Sequence, residues 1–410
     1  MTGTEKRRLF IGRYTEGDDS AASEPAGSED DGLEFAAPGS TVRESAASES
    51  AGPESAVSES AASESAGPAA QPARATPPGH GILVAEYDRT TLDLTVVASV
   101  EAPEASYLAL GPKGDILYAV QEEAEGRVAA FSTGPDRKTL TRIGDVATDG
   151  AHPCQLTVHP SGRFLLTANF GSGSIAVHGI RPDGSLSGVL DLVQHTGHGP
   201  DDLRQNGPHA HMIQTDPSGE LIMVADLGTD CVHSYTLDLE SGRLSKLAQN
   251  RVGWGSGPRH LAFHPTAATV YVTNELSDTV SACPYNRKTG MLKDVRDFRA
   301  APRGTYTRNY PGGIIVSPDG RFSYWTNRGD DSIVAGPLAD NGAHLGIGAR
   351  WDCGGTWPRH IALSPDGSAL FCANQRSNTI AAFRVDAGTG RLTQEGAGLS
   401  VGQPAHVLVG

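Results

Sequence analysis

A short turn sequence recurs along most of the chain and limits what the chain can fold into. Each copy has Pro at its second position, and all but one have Gly at the fourth, which is the pattern of a type I β-turn. The copies lie at residues 111–114, 159–162, 216–219, 264–266, 317–320 and 364–367. Each turn separates two runs rich in β-branched and aromatic residues, so each predicts a β-hairpin.

The hairpins recur with a regular period. Their opening strands begin near residues 105, 153, 208, 258, 311, 358 and 404, and a second polar turn follows each hairpin. Four strands every ~50 residues are typical of a β-propeller blade. We therefore predict an all-β, seven-bladed β-propeller with four-stranded antiparallel blades. A stacked β-solenoid is the alternative, but its two ends would not need to complete one unit.

The two ends of the chain supply the strands that the last unit lacks. One opening strand, residues 404–409, ends the chain without its turn, while strand-like runs occur at residues 8–14 and 81–87. We expect these three strands to share one blade, because this closes the ring and removes free sheet edges. The whole chain, residues 1–410, is then a single propeller domain.

Residues 16–78 differ from the repeats in composition. They are dominated by Ser, Ala, Glu, Pro and Gly, and they contain thirteen acidic but only two basic residues. Such a segment has too little apolar surface to offset the entropy of ordering, so we expect a disordered insertion in a loop between two strands. It carries most of the net charge of −15, and the mildly acidic remainder argues against a nucleic-acid partner.

Targeting signals and cysteine motifs are not apparent in the sequence. The N-terminus lacks an apolar leader, and no apolar run reaches the ~18 residues of a membrane helix. We expect a cytoplasmic protein without a membrane partner, as a monomer or dimer. The cysteines follow no C-x-x-C pattern and should be small buried side chains, not disulfide or zinc ligands; they are Cys154, Cys231, Cys283, Cys353 and Cys372.

Charged and polar residues collect at one end of the predicted hairpins. A turn centred near Ala267 places Arg259 and His260 opposite Asn274 and Glu275. Charge that lines a closed channel is costly unless it is compensated or used. We therefore expect a binding or catalytic site at this rim. Equivalent positions in the other repeats add Glu122, Glu123, His152, His209, His211, Arg328, His360, Gln375 and Arg376.

A metal site is the less favoured interpretation of the histidines. His195, His198, His209 and His211 lie close in sequence, but few carboxylates have ligand spacing; these are Asp201, Asp202 and Asp226. The cysteines are unsuitable as ligands. The chain also lacks a phosphate-binding loop, a G-x-S-x-G elbow and a dinucleotide fingerprint. We expect neither a metal nor a cofactor.

Several segments of this rim resemble one known family. They are GPRHLAFHP at 257–265 with NEL at 274–276, PHAH at 208–211, NR at 327–328, and PRH at 358–360 with NQR at 374–376. They are similar to the β-propeller lactonases, which include bacterial seven-bladed 6-phosphogluconolactonases and fungal carboxymuconate lactonizing enzymes. The resemblance covers nearly everything outside residues 16–78. It implies an active site formed by His211, Arg259, Glu275 and Arg328.

The resemblance also implies a reaction, the hydrolysis of an anionic sugar-acid lactone. The expected substrate is 6-phosphogluconolactone of the pentose phosphate pathway. Lactone hydrolysis requires a base, a cation for the oxyanion and an anchor for the anionic group. We expect Glu275 or His211 to activate water, Arg259 to stabilise the oxyanion, and Arg328 with Arg376 to hold the anion. Further substrate contacts are expected from His152, His209, His260, His360 and Gln375.

Two alternatives remain at this stage. The first is a cycloisomerase of the same fold that acts on a muconate-type lactone, because carboxylate binding would also use arginines. The second is a non-catalytic binding scaffold, a common use of propellers. A scaffold would present aromatic residues at its rim, and the candidates are Trp254, Trp325, Trp351 and Trp357.

Overall fold

A computed structural model of the chain describes residues 6–15, 81–135, 138–301, 308–340, 342–346 and 348–410. These residues form 29 strands, and no helix occurs among them. No helix of this part of the chain is therefore long and apolar enough to cross a membrane. The predicted insertion at residues 16–78 lies outside the described residues, so its disorder stays a prediction.

The strands follow one another at short intervals. In chain order they are β1 (Lys6–Arg13), β2 (Gly81–Asp88), β3 (Leu94–Glu101), β4 (Leu108–Leu110), β5 (Ile116–Gln121), β6 (Arg127–Thr133), β7 (Leu140–Ala147), β8 (Pro153–Val158), β9 (Phe164–Asn169), β10 (Ser174–Ile180), β11 (Leu186–Gln194), β12 (Ala210–Thr215), β13 (Ile222–Asp226), β14 (Cys231–Leu237), β15 (Leu244–Arg251), β16 (Pro258–Phe263), β17 (Thr269–Asn274), β18 (Thr279–Pro284), β19 (Arg296–Arg299), β20 (Tyr310–Val316), β21 (Phe322–Arg328), β22 (Ser332–Ala339), β23 (His344–Leu345), β24 (Arg350–Asp352), β25 (Pro358–Leu363), β26 (Ala369–Asn374), β27 (Thr379–Val385), β28 (Leu392–Ser400) and β29 (Pro404–Val409).

The strands pair into seven antiparallel sheets, which are the blades of a propeller. Blade 1 contains β4–β7, blade 2 β8–β11, blade 3 β12–β15, blade 4 β16–β19, blade 5 β20–β24 and blade 6 β25–β28. Blade 5 has a fifth short strand because both β23 and β24 pair with β22. The predicted fold is confirmed.

Blade 7 closes the ring with strands from both ends of the chain. Its order is β29-β1-β2-β3. Leu9 pairs with Val409 and Ile11 with Val407 across the β1–β29 ladder, and Ile11 and Val407 are fully buried. The hydrogen bonds and the apolar contacts of this pairing hold the ring closed, as the sequence predicts.

The recurring turns have the predicted geometry. The backbone N–H of Gly114 donates to the carbonyl of Gly111 over 2.8 Å, and Gly114 has a φ of 67°. A side chain is disfavoured at such a φ, which explains the glycine at the fourth position. The same bond and the same backbone conformation recur in the turns that end at Gly162, Gly219, Gly320 and Gly367.

The hydrophobic core lies mainly between neighbouring blades, where their faces pack together. Tyr87 of blade 7 and Phe371 of blade 6 pack with ring centroids 4.8 Å apart. Trp325 is fully buried in blade 5, and its indole N–H donates to Ala300 O over 2.7 Å. All five cysteines are buried without disulfides, as predicted. The first strand of each blade borders a central channel, whose cavity is about 570 Å³.

Candidate active site

β-Bulges at the start of the inner strands place the rim side chains. The register shifts between Pro258 and His260, so His260 pairs with Thr273 and Arg259 lacks a ladder partner. The regular hairpin pairing predicted for Arg259 and His260 is therefore wrong by one residue. A bulge bends the strand and redirects the extra side chain. Cys154, His211 and Arg359 occupy the equivalent position in blades 2, 3 and 6.

Glu275 lies where three arginines converge. Its Oε1 is 2.5 Å from Nη2 of Arg204, and its Oε2 is 3.1 Å from Nε of Arg259 and 2.7 Å from Nη2 of Arg328. Glu275, Arg259 and Arg328 are each 1% exposed. Three of the four residues predicted to be catalytic are thus in direct contact.

Local backbone structure fixes this carboxylate and one of its partners. Glu275 follows β17, and its backbone N–H donates to Gly257 O over 2.8 Å. Gly257 has a φ of 60°, and a Cβ there would meet Leu276 at 2.5 Å, so the position requires glycine. Arg328 ends β21, and its Nε donates to Tyr310 O over 3.2 Å. The ion pair therefore joins two anchored side chains.

The arginines change the expected role of Glu275. Neighbouring cations stabilise an ionised carboxylate and weaken it as a proton acceptor, and here both carboxylate oxygens contact guanidinium groups. A buried carboxylate of this kind is suited to holding arginines in place. Of the two bases left open by the sequence, this geometry favours His211.

Arg204 was not predicted from the sequence. It lies in the irregular segment between β11 and β12, outside the repeat pattern that drew attention to the other residues. The run DDLRQ at 201–205 offered one signal, because it places a cation in a loop next to the PHAH motif. Its position opposite Glu275 depends on how that loop folds.

Trp357 lies between two of the predicted anion-binding arginines. The guanidinium carbon of Arg376 is 3.4 Å from the indole centroid and that of Arg328 is 5.6 Å from it. Such cation–π contacts orient a guanidinium. Gln375 is next to this group, because its backbone N–H donates to Trp357 O over 3.0 Å. Arg376 and Gln375 thus lie near Arg328, and their contact with substrate stays a prediction.

A row of aromatic rings continues along the channel wall. The centroids of His211 and His260 are 5.4 Å apart, those of His260 and His360 6.2 Å, and those of His360 and His406 4.0 Å. Tyr107 packs against His406 at 3.9 Å. Tyr107 and His406 were not predicted.

Three of these channel histidines, His260, His360 and His406, are neutral near pH 7. Burial, together with the charge of Arg259, lowers the pKa of His360 to about 3. Burial also holds the pKa values of His260 and His406 well below their usual range. Neutral imidazoles offer both hydrogen-bond donors and acceptors to a polar ligand in the channel.

The two remaining predicted histidines are half-buried on the rim. The ring of His209 stacks on Phe170 at 4.7 Å, and His211 meets the same ring edge-on at 5.5 Å. The backbone N–H of His152 donates to Glu123 O over 2.8 Å. His209 thus shares a neighbour with His211, whereas His152 lies beside blade 1.

A second, part-buried carboxylate cluster contains Glu122, which the sequence placed on the rim, but its contacts with Tyr14 and Arg359 were not predicted. Glu122 Oε2 accepts a hydrogen bond from the Tyr14 hydroxyl over 2.9 Å, and the same hydroxyl accepts one from Arg359 Nη2 over 2.6 Å. Burial raises the pKa of Glu122, while Arg359 opposes this shift. The cluster joins side chains of blades 7, 1 and 6, whereas Glu275, Arg259 and Arg328 belong to blades 4 and 5.

One group among the described residues has ligand atoms close enough for a metal, namely His195, Asp226 and His233, within 4.8 Å of one another. His195 Nδ1 is 2.6 Å from Asp226 Oδ2, and its Nε2 is 3.0 Å from the Tyr235 hydroxyl. Asp226 Oδ1 also accepts the backbone N–H of His209 over 2.9 Å. Both nitrogens of His195 are thus engaged, and the group is explained as a network that holds His209.

Comparisons with known proteins agree with this architecture. The family model "Lactonase, 7-bladed beta-propeller" matches residues 72–409. The chain belongs to this lactonase family. It is 34% identical to a Bacillus subtilis 6-phosphogluconolactonase over 304 residues, which are 74% of this chain and 86% of the relative. It is 32% identical to a Formosa agariphila 6-phosphogluconolactonase over 324 residues, 77% of this chain and 91% of the relative.

A solved structure extends the comparison within the β-propeller lactonases. The periplasmic gluconolactonase of Pseudomonas aeruginosa superposes with a TM-score of 0.79 at 26% identity, covering 99% of each chain. The relatives thus include proteins named for a phosphorylated lactone and one named for gluconolactone.

Proposed function

We propose that this protein is a lactonase that hydrolyses an anionic sugar-acid lactone, namely 6-phosphogluconolactone. The observation that carries the proposal is the convergence of Arg204, Arg259 and Arg328 on Glu275. Buried guanidinium groups in excess of carboxylate are suited to a substrate that is anionic and develops further negative charge as it reacts. The names of the two relatives identified by sequence support the same substrate.

The proposed chemistry divides the hydrolytic step among three residues. His211 accepts a proton from water as the water attacks the lactone carbonyl. Arg259 stabilises the oxyanion, and the bond to the ring oxygen then breaks as that oxygen takes up the proton that His211 accepted. Glu275 keeps Arg259 and Arg328 in position. Arg328 and Arg376 bind the anionic group of the substrate.

Six residues complete the proposed substrate site: His152, His209, His260, His360, Gln375 and Arg376. The row of rings that includes His260 and His360 provides neutral polar groups for sugar hydroxyls. The site needs no cofactor in this proposal. The enzyme would act in the cytoplasm within the pentose phosphate pathway, as a monomer or dimer, which fractionation and light scattering would test.

The scaffold alternative finds little support. Trp325 is fully buried, Trp357 is 8% exposed and Trp351 is partly buried, so three of the four tryptophans are unavailable as rim anchors. Trp254 is 64% exposed, and one aromatic does not make a docking surface. No observation favours the muconate cycloisomerase over the hydrolase.

The test is hydrolysis of freshly prepared 6-phosphoglucono-δ-lactone, measured above its spontaneous rate. Wild-type protein should accelerate the reaction, and His211→Asn should lose most of the acceleration at neutral pH because the base is removed. Arg259→Ala should also lose most of the acceleration, because the oxyanion loses the cation that stabilises it. If wild type gives no acceleration, the proposed function is wrong. If His211→Asn retains the full rate, another group is the base.

A further inference from the structure

We propose that Arg204 binds the phosphoryl group of the substrate and makes the site selective for phosphorylated lactones. This inference rests on the proposed lactonase function and goes beyond it by adding Arg204 to Arg328 and Arg376 as a residue that binds the phosphoryl group. Three independent features of the structure support the assignment.

The first feature is an unused hydrogen-bond donor. Nη2 of Arg204 contacts Glu275, but Nη1 is buried and makes no hydrogen bond to any residue that the structure describes. The Arg204 side chain is only 10% exposed. A buried donor without an acceptor is unfavourable, and an anionic ligand that supplies an oxygen to Nη1 removes this penalty. One guanidinium edge can then serve the protein and the other the ligand.

The second feature is the charge of the cluster. Three guanidinium groups share the single carboxylate of Glu275, so positive charge exceeds negative charge by two within this contact. A phosphate monoester carries about −1.5 to −2 near neutral pH. It balances the cluster more closely than a carboxylate of charge −1 or an uncharged sugar lactone does.

The third feature is the rigid support of Arg204. Asp201 Oδ1 accepts the backbone N–H groups of Leu203 and Arg204 over 3.0 and 3.1 Å. The side chain of Gln205 donates to Leu227 O over 2.8 Å and to Asp230 Oδ1 over 2.6 Å. These bonds fix the loop before a ligand arrives, which reduces the entropic cost of binding.

Asp230 also connects this loop to the strand that carries Arg259. Its Oδ1 accepts the backbone N–H of Gly257 over 2.9 Å, one residue before β16 begins. The same oxygen holds the Gln205 amide. One buried carboxylate thus sets the spacing between Arg204 and Arg259, as a site for a ligand of fixed shape requires.

The experiment compares Arg204→Met with wild type on two substrates, 6-phosphoglucono-δ-lactone and glucono-δ-lactone. Met keeps an unbranched apolar stem and removes the charge. We expect kcat/KM on the phosphorylated lactone to fall about 10- to 100-fold, the range of a lost hydrogen bond to a charged group, mainly through KM. On glucono-δ-lactone the change should stay within about threefold, because no phosphate contact is lost.

Two further variants make the comparison specific. Arg204→Lys keeps the charge but loses the forked geometry, so its loss on the phosphorylated lactone should be intermediate. Leu203→Ala changes the neighbouring side chain, which is 89% exposed, and should behave as wild type on both substrates. Circular dichroism and melting temperature establish that each variant folds.

Each outcome bears on the inference. If Arg204→Met loses kcat/KM equally on both lactones, Arg204 acts only by positioning Glu275. If it loses activity on neither, Arg204 is not part of the site. Either result overturns the proposal. Should wild type hydrolyse neither lactone, the proposed function fails. Calorimetric titration with 6-phosphogluconate then still tests phosphate binding, and equal affinity for wild type and Arg204→Met overturns it.

Discussion

Neutralising Glu275 tests whether it holds the arginine cluster together. Glu275→Gln keeps the size of the side chain but leaves three guanidinium groups facing an uncharged amide. Removing one partner of a buried ion pair costs about 3–5 kcal/mol, because the other charge stays buried without compensation. We therefore expect the free energy of unfolding to fall by this amount.

The loss can be converted into a melting temperature. The described part of the chain has about 330 residues, and the unfolding entropy is about 2.1 cal/mol/K per residue, which gives about 0.7 kcal/mol/K in total. The expected decrease in Tm is then about 4–7 °C. Inorganic phosphate should raise the Tm of the variant more than that of wild type, since it can replace the lost negative charge.

Differential scanning calorimetry measures both effects. Glu220→Gln is the matched control, because Glu220 is exposed in the turn between β12 and β13, and its change should stay within about 0.5 kcal/mol. A Glu275→Gln Tm within 1 °C of wild type, taken with no added response to phosphate, would refute the idea that Glu275 neutralises a buried cluster of cations.

Three further predictions concern the channel and the ring closure. The pKa of His360 is lowered to about 3, so its contribution to stability is complete above its ordinary pKa and is lost as pH falls. Between pH 7 and 5.5 the free energy of unfolding of wild type should fall by about 1 kcal/mol for this reason. In urea unfolding, His360→Gln should lose less stability over this range than wild type does. Burial raises the pKa of Glu122, so its contribution to stability is present below its ordinary pKa and is lost as pH rises through the raised value. As pH increases from 4 to 7, Glu122→Gln should therefore become more stable relative to wild type in the same assay. Val407→Ala removes two methyl groups from a fully buried site in β29 and should lower the free energy of unfolding in urea by about 2–3 kcal/mol. Val409 is only half-buried, so Val409→Ala should lower it less.

The fold was predictable because its determinants are local and repeated. The turns that end at Gly114 and Gly162 are recognisable from their composition alone, and each turn fixes where its hairpin reverses direction. The number of copies then fixes the number of blades. Closure by β1 and β29 was also predictable, because an incomplete last unit leaves an unpaired edge.

The candidate site was predictable only where it depends on hairpin pairing. Arg259 and Glu275 belong to one hairpin, so their meeting follows from its turn, although the bulge at Arg259 is not visible in the sequence. Arg204 reaches Glu275 through an irregular loop whose path depends on tertiary hydrogen bonds. The contact of Tyr14 with Arg359 spans 345 positions, and no local pattern encodes it.

The closure of blade 7 has a consequence for the order of the chain. The backbone N–H of Gly410 donates to Arg8 O over 3.1 Å, so the C-terminus ends beside the start of β1. A short linker between them would turn the pairing of β29 with β1 into a hairpin, and new termini could be opened within residues 16–80. Such a circular permutant keeps all seven blades, but β1 and β2 then form the ladder that joins the two ends of the chain, so ring closure remains the pairing of greatest sequence separation.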